Sequence, residues 1–233
     1  FGHRRLALMG SLSRAINEGE LEIYVQPQLC CEHMKLVGAE ILLRWNSLRH
    51  GMVPTLEFID IAEQAGLMPQ LGRYVITRAM NLLRELQELK VPVTLSVNLS
   101  VKNLVDDKFV GFVVDAAQEQ SVDMRNIVLE VTESCTTENM DVVVTSLNRL
   151  VASGCSIALD DFGTGYSSLA YLSRLPIHEL KIDRSFISQM RKSDSDLRIV
   201  ENTVKLARTL QLQTVAEGVE DADMLAIVKS LGC

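Results

Sequence analysis

The chain has 233 residues, of which 47% are hydrophobic and 5% are aromatic, so it is long enough to bury one sizeable core. Its formal net charge is -7, from 23 basic and 30 acidic residues, which argues against a nucleic-acid polymer as a partner. No apolar run reaches the roughly 18 residues of a membrane span, and no signal peptide is visible. The five cysteines show no CxxC spacing and the histidines are scattered, so we expect reduced thiols and no zinc site.

The chain opens with a predicted helix and a predicted hairpin. Residues 6–16 have apolar side chains at helical spacing, and Gly19 ends the segment, which resembles a helix cut out of a longer protein. Residues 21–29 and 35–45 are both typical of strands. Because only a few residues separate these strands, they predict an antiparallel hairpin.

Helices alternate with strands from residue 54 onward. The first helix has Thr55 as its predicted N-cap and Gly66 as its stop. The remaining predicted helices are 69–89, 107–120, 140–152, 168–174, 194–210 and one ending near Gly232; the predicted strands are 93–99, 127–133, 156–162, 179–183 and 214–219. This alternation predicts a single α/β domain with a parallel sheet. A doubly wound open sheet is the alternative, but polar groups end nearly every strand, which favours a barrel whose eighth strand is not contained in these residues.

Seven polar residues lie at or near the predicted strand ends: Glu40, Asn98, Glu130, Asp160, Asp161, Lys181 and Glu217. In a barrel of parallel strands they converge on one rim, where five carboxylates and one amine need additional positive charge. Oxygen ligands without Cys or His indicate Mg²⁺ or Mn²⁺, and two such ions suit in-line displacement at phosphorus. Four of these residues also have a simpler interpretation: Glu40 as a surface charge on the hairpin, Asn98 as a turn cap, Lys181 as a salt-bridge partner, and Glu217 as a solvated acid.

The adjacent pair Asp160–Asp161 is followed by a loop with two glycines. This loop should emerge beside the end of the preceding strand, where Glu133 lies. Glu133 stands three residues after Glu130, so regular strand geometry puts the two side chains on opposite faces. We expect Glu133 to accept hydrogen bonds from residues 162–168 and thereby to hold Asp161 in position. The alternatives for Glu133 are a solvated acid or a cap for the helix near residue 140. The alternative for the Asp pair is a plain strand–loop–helix junction capped by Asp161 or Thr164.

Six blocks of sequence occur in a characteristic order: GAEILLRW at 38–45, VNLS at 97–100, LEVTE at 129–133, DDFGTGYSS at 160–168, LKID at 180–183 and AEGVE at 216–220. With these blocks the chain resembles the EAL-domain family of cyclic di-GMP phosphodiesterases over essentially all of its length after Gly19. The resemblance implies a modified (β/α)8 TIM-like barrel with an antiparallel first strand. It also implies hydrolysis of cyclic di-GMP to linear pGpG with two divalent ions, Mg²⁺ or Mn²⁺.

The resemblance also implies a role for each site residue. One ion would be held by Glu40, Asn98, Glu130 and Asp160, and the second by Asp160, Asp161 and Glu217, with Asp160 bridging. Lys181 would help to activate the attacking water, Glu40 and Glu133 would count with it as catalytic, and Gln26, Arg44 and Asp183 would contact the substrate. Residues 1–19 would be a linker helix from an upstream GGDEF or sensor domain and residues 20–233 the phosphodiesterase domain, a homodimer in the cytoplasm or on the cytoplasmic side of an inner-membrane protein.

Three departures from the family pattern keep other functions open. Ile41 replaces the alanine of the signature, Val25 stands where an aromatic residue commonly precedes Gln26, and the final strand with its Gln-Gly segment is not contained in the chain. A cyclic di-GMP sensor that does not cut its ligand, and a regulatory dimerisation domain, therefore remain the alternatives to an active enzyme.

Overall fold

A computed structural model describes residues 2–133, 139–164 and 172–233. Its strands are β1 (Leu21–Leu29), β2 (Leu36–Ser47), β3 (Gly51–Val53), β4 (Thr94–Leu99), β5 (Ile127–Thr132), β6 (Ser156–Phe162), β7 (Glu179–Ile182) and β8 (Gln213–Ala216). Its helices are α1 (Gly2–Glu18), α2 (Thr55–Gln64), α3 (Met68–Glu88), α4 (Val101–Leu104), α5 (Phe109–Glu119), α6 (Met140–Ala152), α7 (Arg184–Gln189), α8 (Asp194–Thr209) and α9 (Ala222–Leu231), with a 3₁₀ turn at Met124–Asn126.

All strands belong to one curled sheet with the order β1-β2-β4-β5-β6-β7-β8, and β3 pairs with β2 beside this path. The pair β1–β2 is antiparallel, and every later pair along the path is parallel. Within the described residues β1 and β8 are the two ends of the sheet, so the barrel is incomplete. The predicted modified barrel with an antiparallel first strand is thus confirmed, and so are its seven path strands.

The outer face of the sheet packs against the helices and carries most of the apolar side chains of the strands. Trp45, at the end of β2, is fully buried and packs edge-on against Phe58 of α2, with ring centroids 6.0 Å apart. On the same outer face, apolar side chains of the central strands are almost completely buried: Leu95, Val97, Leu129, Val131, Ile157, Leu159, Leu180 and Ile182. This outer core leaves the inner face of the sheet free to carry polar groups.

Helix α1 forms as predicted and ends before Gly19, whose φ of 76° continues poorly into a helix. Its apolar stripe is part of the main core, with Leu8, Leu12 and Ala15 fully buried. At its exposed side Arg4 makes two hydrogen bonds to Glu57 of α2. Among the helices that the structure describes, none is both long and apolar enough to cross a membrane.

Local predictions failed where tertiary contacts decide the geometry. Thr55 is the first residue of α2 rather than its N-cap; Pro54 occupies the cap position, and the Thr55 hydroxyl donates to the Leu43 carbonyl 3.2 Å away. The short elements β3 and α7 were not predicted, because three to six residues carry too little periodicity. The helix predicted for 168–174 lies largely outside the described residues.

Candidate active site

The inner face of the sheet carries the predicted polar residues because the strand registers align them. Glu40 of β2 is opposite Ser96 of β4, and two residues further Asn98 is opposite Glu130 of β5. Asp160 of β6 is opposite Thr132, which shares the face of Glu130. These residues from neighbouring parallel strands therefore face the same interior, near the carboxyl ends of the strands.

Lys181 of β7 lies at the centre of this group, with only 1% of its side chain exposed. Its ammonium contacts Glu130 and Glu217 at 2.7 Å, Asp160 at 3.2 Å and Glu40 at 3.3 Å. Four carboxylates around one ammonium leave a formal charge of -3 when all are ionised. A buried excess of that size is costly unless further cations neutralise it.

The pKa values of the group record this imbalance. Burial lowers the pKa of Lys181, but attraction by Glu130, Asp160, Glu217 and Glu40 outweighs burial, and the net pKa is raised. Burial raises the pKa of Glu130, Lys181 opposes that shift, and the charges of Glu40 and Asp160 add to it. The pKa of Glu217 is raised first by burial and then by Asp160 and Glu40, against the pull of Lys181. Without added cations, Glu130 and Glu217 therefore hold protons more tightly than free carboxylates do.

Three of the carboxylates could hold a divalent cation together. Glu40, Glu130 and Asp160 each offer an oxygen, and these oxygens lie within 4.8 Å of one another. Asn98 adjoins them and donates a hydrogen bond of 2.8 Å to Glu40 Oε1. Glu130 Oε1 is buried and has no hydrogen-bond partner in the part of the chain that the structure describes. An unpartnered buried carboxylate oxygen beside two other carboxylates fits Mg²⁺ or Mn²⁺ well.

The residues predicted to bind a second ion converge less closely than the trio. Asp161 and Glu217 do not join the trio of converging oxygens among the described residues. A bulge explains how Asp161 approaches the site: β6 contains one residue more than β7 between two paired positions, and Asp161 has a φ of 55°. Burial raises the pKa of Asp161, and the charges of Asp160 and Asp183 raise it further. In a regular strand Asp161 would point to the outer face of the sheet. The bulge instead turns Asp161 toward the acidic centre.

Glu133 behaves as the sequence predicted in its hydrogen bonding. It is buried, with 5% of its surface exposed, and its Oε2 accepts a hydrogen bond of 3.1 Å from the Gly163 backbone N–H. The bond connects the end of β5 to the start of the glycine-containing loop. Its consequence for Asp161 stays a prediction, and the rest of that loop, residues 165–171, lies outside the described residues.

Comparison with known proteins shows the family to which the chain belongs. A profile described as EAL domain matches residues 9–233. The chain belongs to the EAL-domain family. It is 38% identical over 230 residues, or 98% of its length, to the bifunctional diguanylate cyclase/cyclic di-GMP phosphodiesterase MucR of Pseudomonas aeruginosa. It is 36% identical, over 99% of its length, to the cyclic di-GMP phosphodiesterase NbdA of the same organism.

A solved structure supports the same assignment. The MucR phosphodiesterase in complex with c-di-GMP superimposes with a TM-score of 0.91 at 38% identity, covering 97% of this chain and 92% of that one. By contrast, this EAL domain spans only about a third of the length of its curated relatives, 34% of MucR and 30% of NbdA. The barrel is therefore matched closely, whereas most of those longer proteins has no counterpart in this chain.

The residues predicted to contact substrate flank the acidic centre of the EAL domain. Gln26 of β1 is exposed and directly opposite Glu40 in the hairpin. Arg44 follows on the inner face of β2, and its Nη1 donates a hydrogen bond of 2.8 Å to the carbonyl of Leu43. Asp183 follows β7 and caps helix α7, where it accepts a hydrogen bond from the Ser185 N–H at 2.9 Å. All three border the polar interior, and their contacts with substrate remain predictions.

Sequence reasoning missed Tyr24, which lies on the inner face. It lies two positions before Gln26 on β1, so strand alternation places both side chains on the same face. Arg44 stands over its ring, with the guanidinium carbon 5.6 Å from the ring centroid. The alternation of β1 was the available signal, but an isolated tyrosine in a strand is an ordinary β-former and attracted no functional interpretation.

Proposed function

We propose that this EAL domain hydrolyses cyclic di-GMP to linear pGpG with the help of Mg²⁺ or Mn²⁺. The observation that carries the proposal is the convergence of Glu40, Glu130 and Asp160, whose oxygens lie within 4.8 Å of one another in the barrel interior. The named relatives MucR and NbdA are cyclic di-GMP phosphodiesterases, and the MucR domain was solved with c-di-GMP, which supports this substrate.

The trio of carboxylates and Asn98 would hold the first cation, and Asp160, Asp161 and Glu217 would hold the second. When bound, the ions supply positive charge to the scissile phosphate and lower the pKa of a water. The ammonium of Lys181 would then lose part of its contact with the carboxylates and be free to hold and orient the attacking water. In the metal-free site, attraction by Glu130, Asp160, Glu217 and Glu40 raises the pKa of that ammonium.

The proposed reaction changes one bond of the cyclic dinucleotide. The water oxygen forms a bond to phosphorus, and the bond between phosphorus and the ribose 3′ oxygen breaks. The water gives up a proton, and the leaving 3′ oxygen gains one, so the product is linear with a 5′ phosphate and a free 3′ hydroxyl. Gln26, Arg44 and Asp183 would position the substrate from the surrounding inner face.

The direct test is incubation of the purified protein with cyclic di-GMP in Mg²⁺, in Mn²⁺ and in EDTA, with chromatographic separation of the nucleotides. We expect pGpG in at least one metal and none in EDTA, with activity restored when metal is added back. Binding of cyclic di-GMP without any product in either metal would instead make the domain a sensor. Full turnover in EDTA would contradict the metal-dependent mechanism.

The domain organisation is a separate proposal. The curated relatives are about three times as long as this chain, and we propose that α1 connects the barrel to an upstream GGDEF or sensor domain. The buried stripe of α1 and its Arg4–Glu57 contact would carry a movement of that domain to α2. The predicted homodimer is checked by light scattering of the purified domain, with and without cyclic di-GMP.

A further inference from the structure

Tyr24 occupies a place on the inner face that the proposed catalytic residues leave open. In the hairpin register Tyr24 is opposite Leu42, whereas Gln26 is opposite Glu40. Because β2 runs toward the rim of the barrel, Tyr24 lies two residues closer to the rim than Glu40, about 6–7 Å along the strand. Just over half of its surface, 51%, is exposed.

Arg44 holds the tyrosine ring from one side. The guanidinium stands over the ring at 5.6 Å and is itself held by the carbonyl of Leu43 at 2.8 Å. The Thr55 hydroxyl, at the first turn of α2, lies 3.5 Å from the same Arg44 nitrogen. A cation over an aromatic face is attractive, so the contact orients the ring while half of the residue stays open to solvent. The result is a prepositioned aromatic surface beside the site for phosphate.

An exposed aromatic ring on this side of the strand is not explained by packing. Ile23, the preceding residue, points to the outer face and packs against the main core. Tyr24 points the other way, where Leu42 is directly opposite and the next inner-face pair, Gln26 and Glu40, is hydrophilic. A half-exposed aromatic side chain at the rim of a polar site is a typical platform for a planar ligand.

We propose that Tyr24 stacks on one guanine base of cyclic di-GMP and thereby contributes to substrate binding. This inference rests on the proposed function. A ribose separates each base from its phosphate, so a phosphate at the carboxylate trio requires its base to lie away from the trio, toward the rim. The ring of Tyr24 lies in that direction, and Arg44 behind it keeps the ring plane fixed for stacking.

The test compares Tyr24→Leu with Tyr24→Phe, which keeps the ring and removes only the hydroxyl. For Tyr24→Leu we expect KM for cyclic di-GMP to rise by about 10-fold or more, the range that loss of one stacked base gives. The value of kcat should stay within about twofold, because stacking stabilises bound substrate and transition state alike. Leu29→Ala is the control, since Leu29 lies at the other end of β1 with a similar exposure of 49%.

The outcomes separate this inference from the proposed function. A wild type that binds cyclic di-GMP without cutting it refutes the proposed hydrolysis, and calorimetric affinities of the same variants then decide the role of Tyr24. An unchanged KM and affinity in Tyr24→Leu, or an equal loss in Tyr24→Phe, would overturn the stacking proposal. A wild type that neither binds nor hydrolyses cyclic di-GMP would refute both. Circular dichroism confirms that each variant is folded.

Discussion

Replacing Lys181 with methionine should destabilise the metal-free protein strongly. The substitution keeps an unbranched apolar side chain, one atom shorter, and removes the ammonium that four carboxylates share at 2.7 to 3.3 Å. Removing one partner of a buried ion pair costs about 3–5 kcal/mol, because it leaves uncompensated buried charge. Protonation of Glu130, whose pKa burial already raises, relieves part of that charge, so we expect a loss within this range rather than one for each carboxylate. Such a loss is a large part of the roughly 5–15 kcal/mol that stabilises a domain.

The assay is urea unfolding of wild type and Lys181→Met, in EDTA and in Mg²⁺ or Mn²⁺. A divalent cation bound by the carboxylates replaces the missing charge, so most of the lost free energy of unfolding should return in metal. Lys205→Met, an exposed position on α8, is the matched control and should unfold like wild type in both conditions. A loss below about 1 kcal/mol in EDTA, or a loss that metal does not reduce, would refute the electrostatic reasoning.

The same position separates chemistry from binding. In the metal-bound form Lys181→Ala should lower kcat by about 10²-fold or more, because the group that we propose to orient the water is gone, while cyclic di-GMP should still bind. The measurement is kcat from product formation beside calorimetric affinity for the nucleotide. If binding and turnover disappear together in a folded variant, Lys181 has a structural role only.

Two further predictions concern the other carboxylates. Glu40→Ala should abolish hydrolysis, because the convergent trio loses one oxygen ligand; chelation of the wild type should do the same reversibly. Residual product in chromatographed reactions of the variant would contradict this. Glu133→Ala should stay folded, lose most turnover and need more Mg²⁺, since the hydrogen bond to the Gly163 N–H is lost. Glu133→Gln retains an acceptor and should recover much of the activity; unchanged activity of Glu133→Ala at low Mg²⁺ would leave Glu133 without a role in the site.

The fold was predictable where one face of an element is buried and the other is not. The strand β6 and the helix α6 have the predicted bounds, because their apolar side chains face one continuous core. The strand β1 also has the predicted bounds, although only Leu21 and Ile23 of its side chains reach that core. Thr55 was misassigned as an N-cap because its hydroxyl bonds to a distant acceptor instead. That acceptor is the carbonyl of Leu43 in β2, separated from Thr55 in the chain by the loop that follows β2. Contacts of that kind are set by tertiary structure and leave no periodic signal in the chain.

The site was predictable to the level of which residues meet, but not how they meet. Parallel strand ends bring Glu40, Glu130, Asp160 and Lys181 together, as expected from the positions of the charges. The bulge in β6 was not foreseen, because period-two alternation assumes a regular ladder. Tyr24 was missed for a different reason: its importance depends on the Arg44 side chain from the neighbouring strand, a pairing that only the register reveals.

Asp161, which we propose as a ligand of the second ion, should reduce the stability of the metal-free fold. Its φ of 55° is one that Asn adopts as readily as Asp, so Asp161→Asn removes the charge and preserves the backbone preference. Burial raises the folded-state pKa of Asp161 above its unfolded value, and nearby Asp160 and Asp183 raise it further. Ionisation therefore costs folding free energy increasingly as the pH rises above the unfolded pKa of about 4.

It follows that Asp161→Asn should unfold at a higher temperature than wild type at pH 7 in EDTA, while losing most turnover in Mg²⁺. Asp161→Ala removes the same charge but disfavours the left-handed backbone by about 1–2 kcal/mol, so its unfolding temperature should lie below that of the Asn variant. Calorimetric scans and product assays on the two variants separate the charge from the backbone. A lower unfolding temperature for Asp161→Asn than for wild type in EDTA would show that the ionised carboxylate stabilises the metal-free fold, contrary to the direction of its pKa.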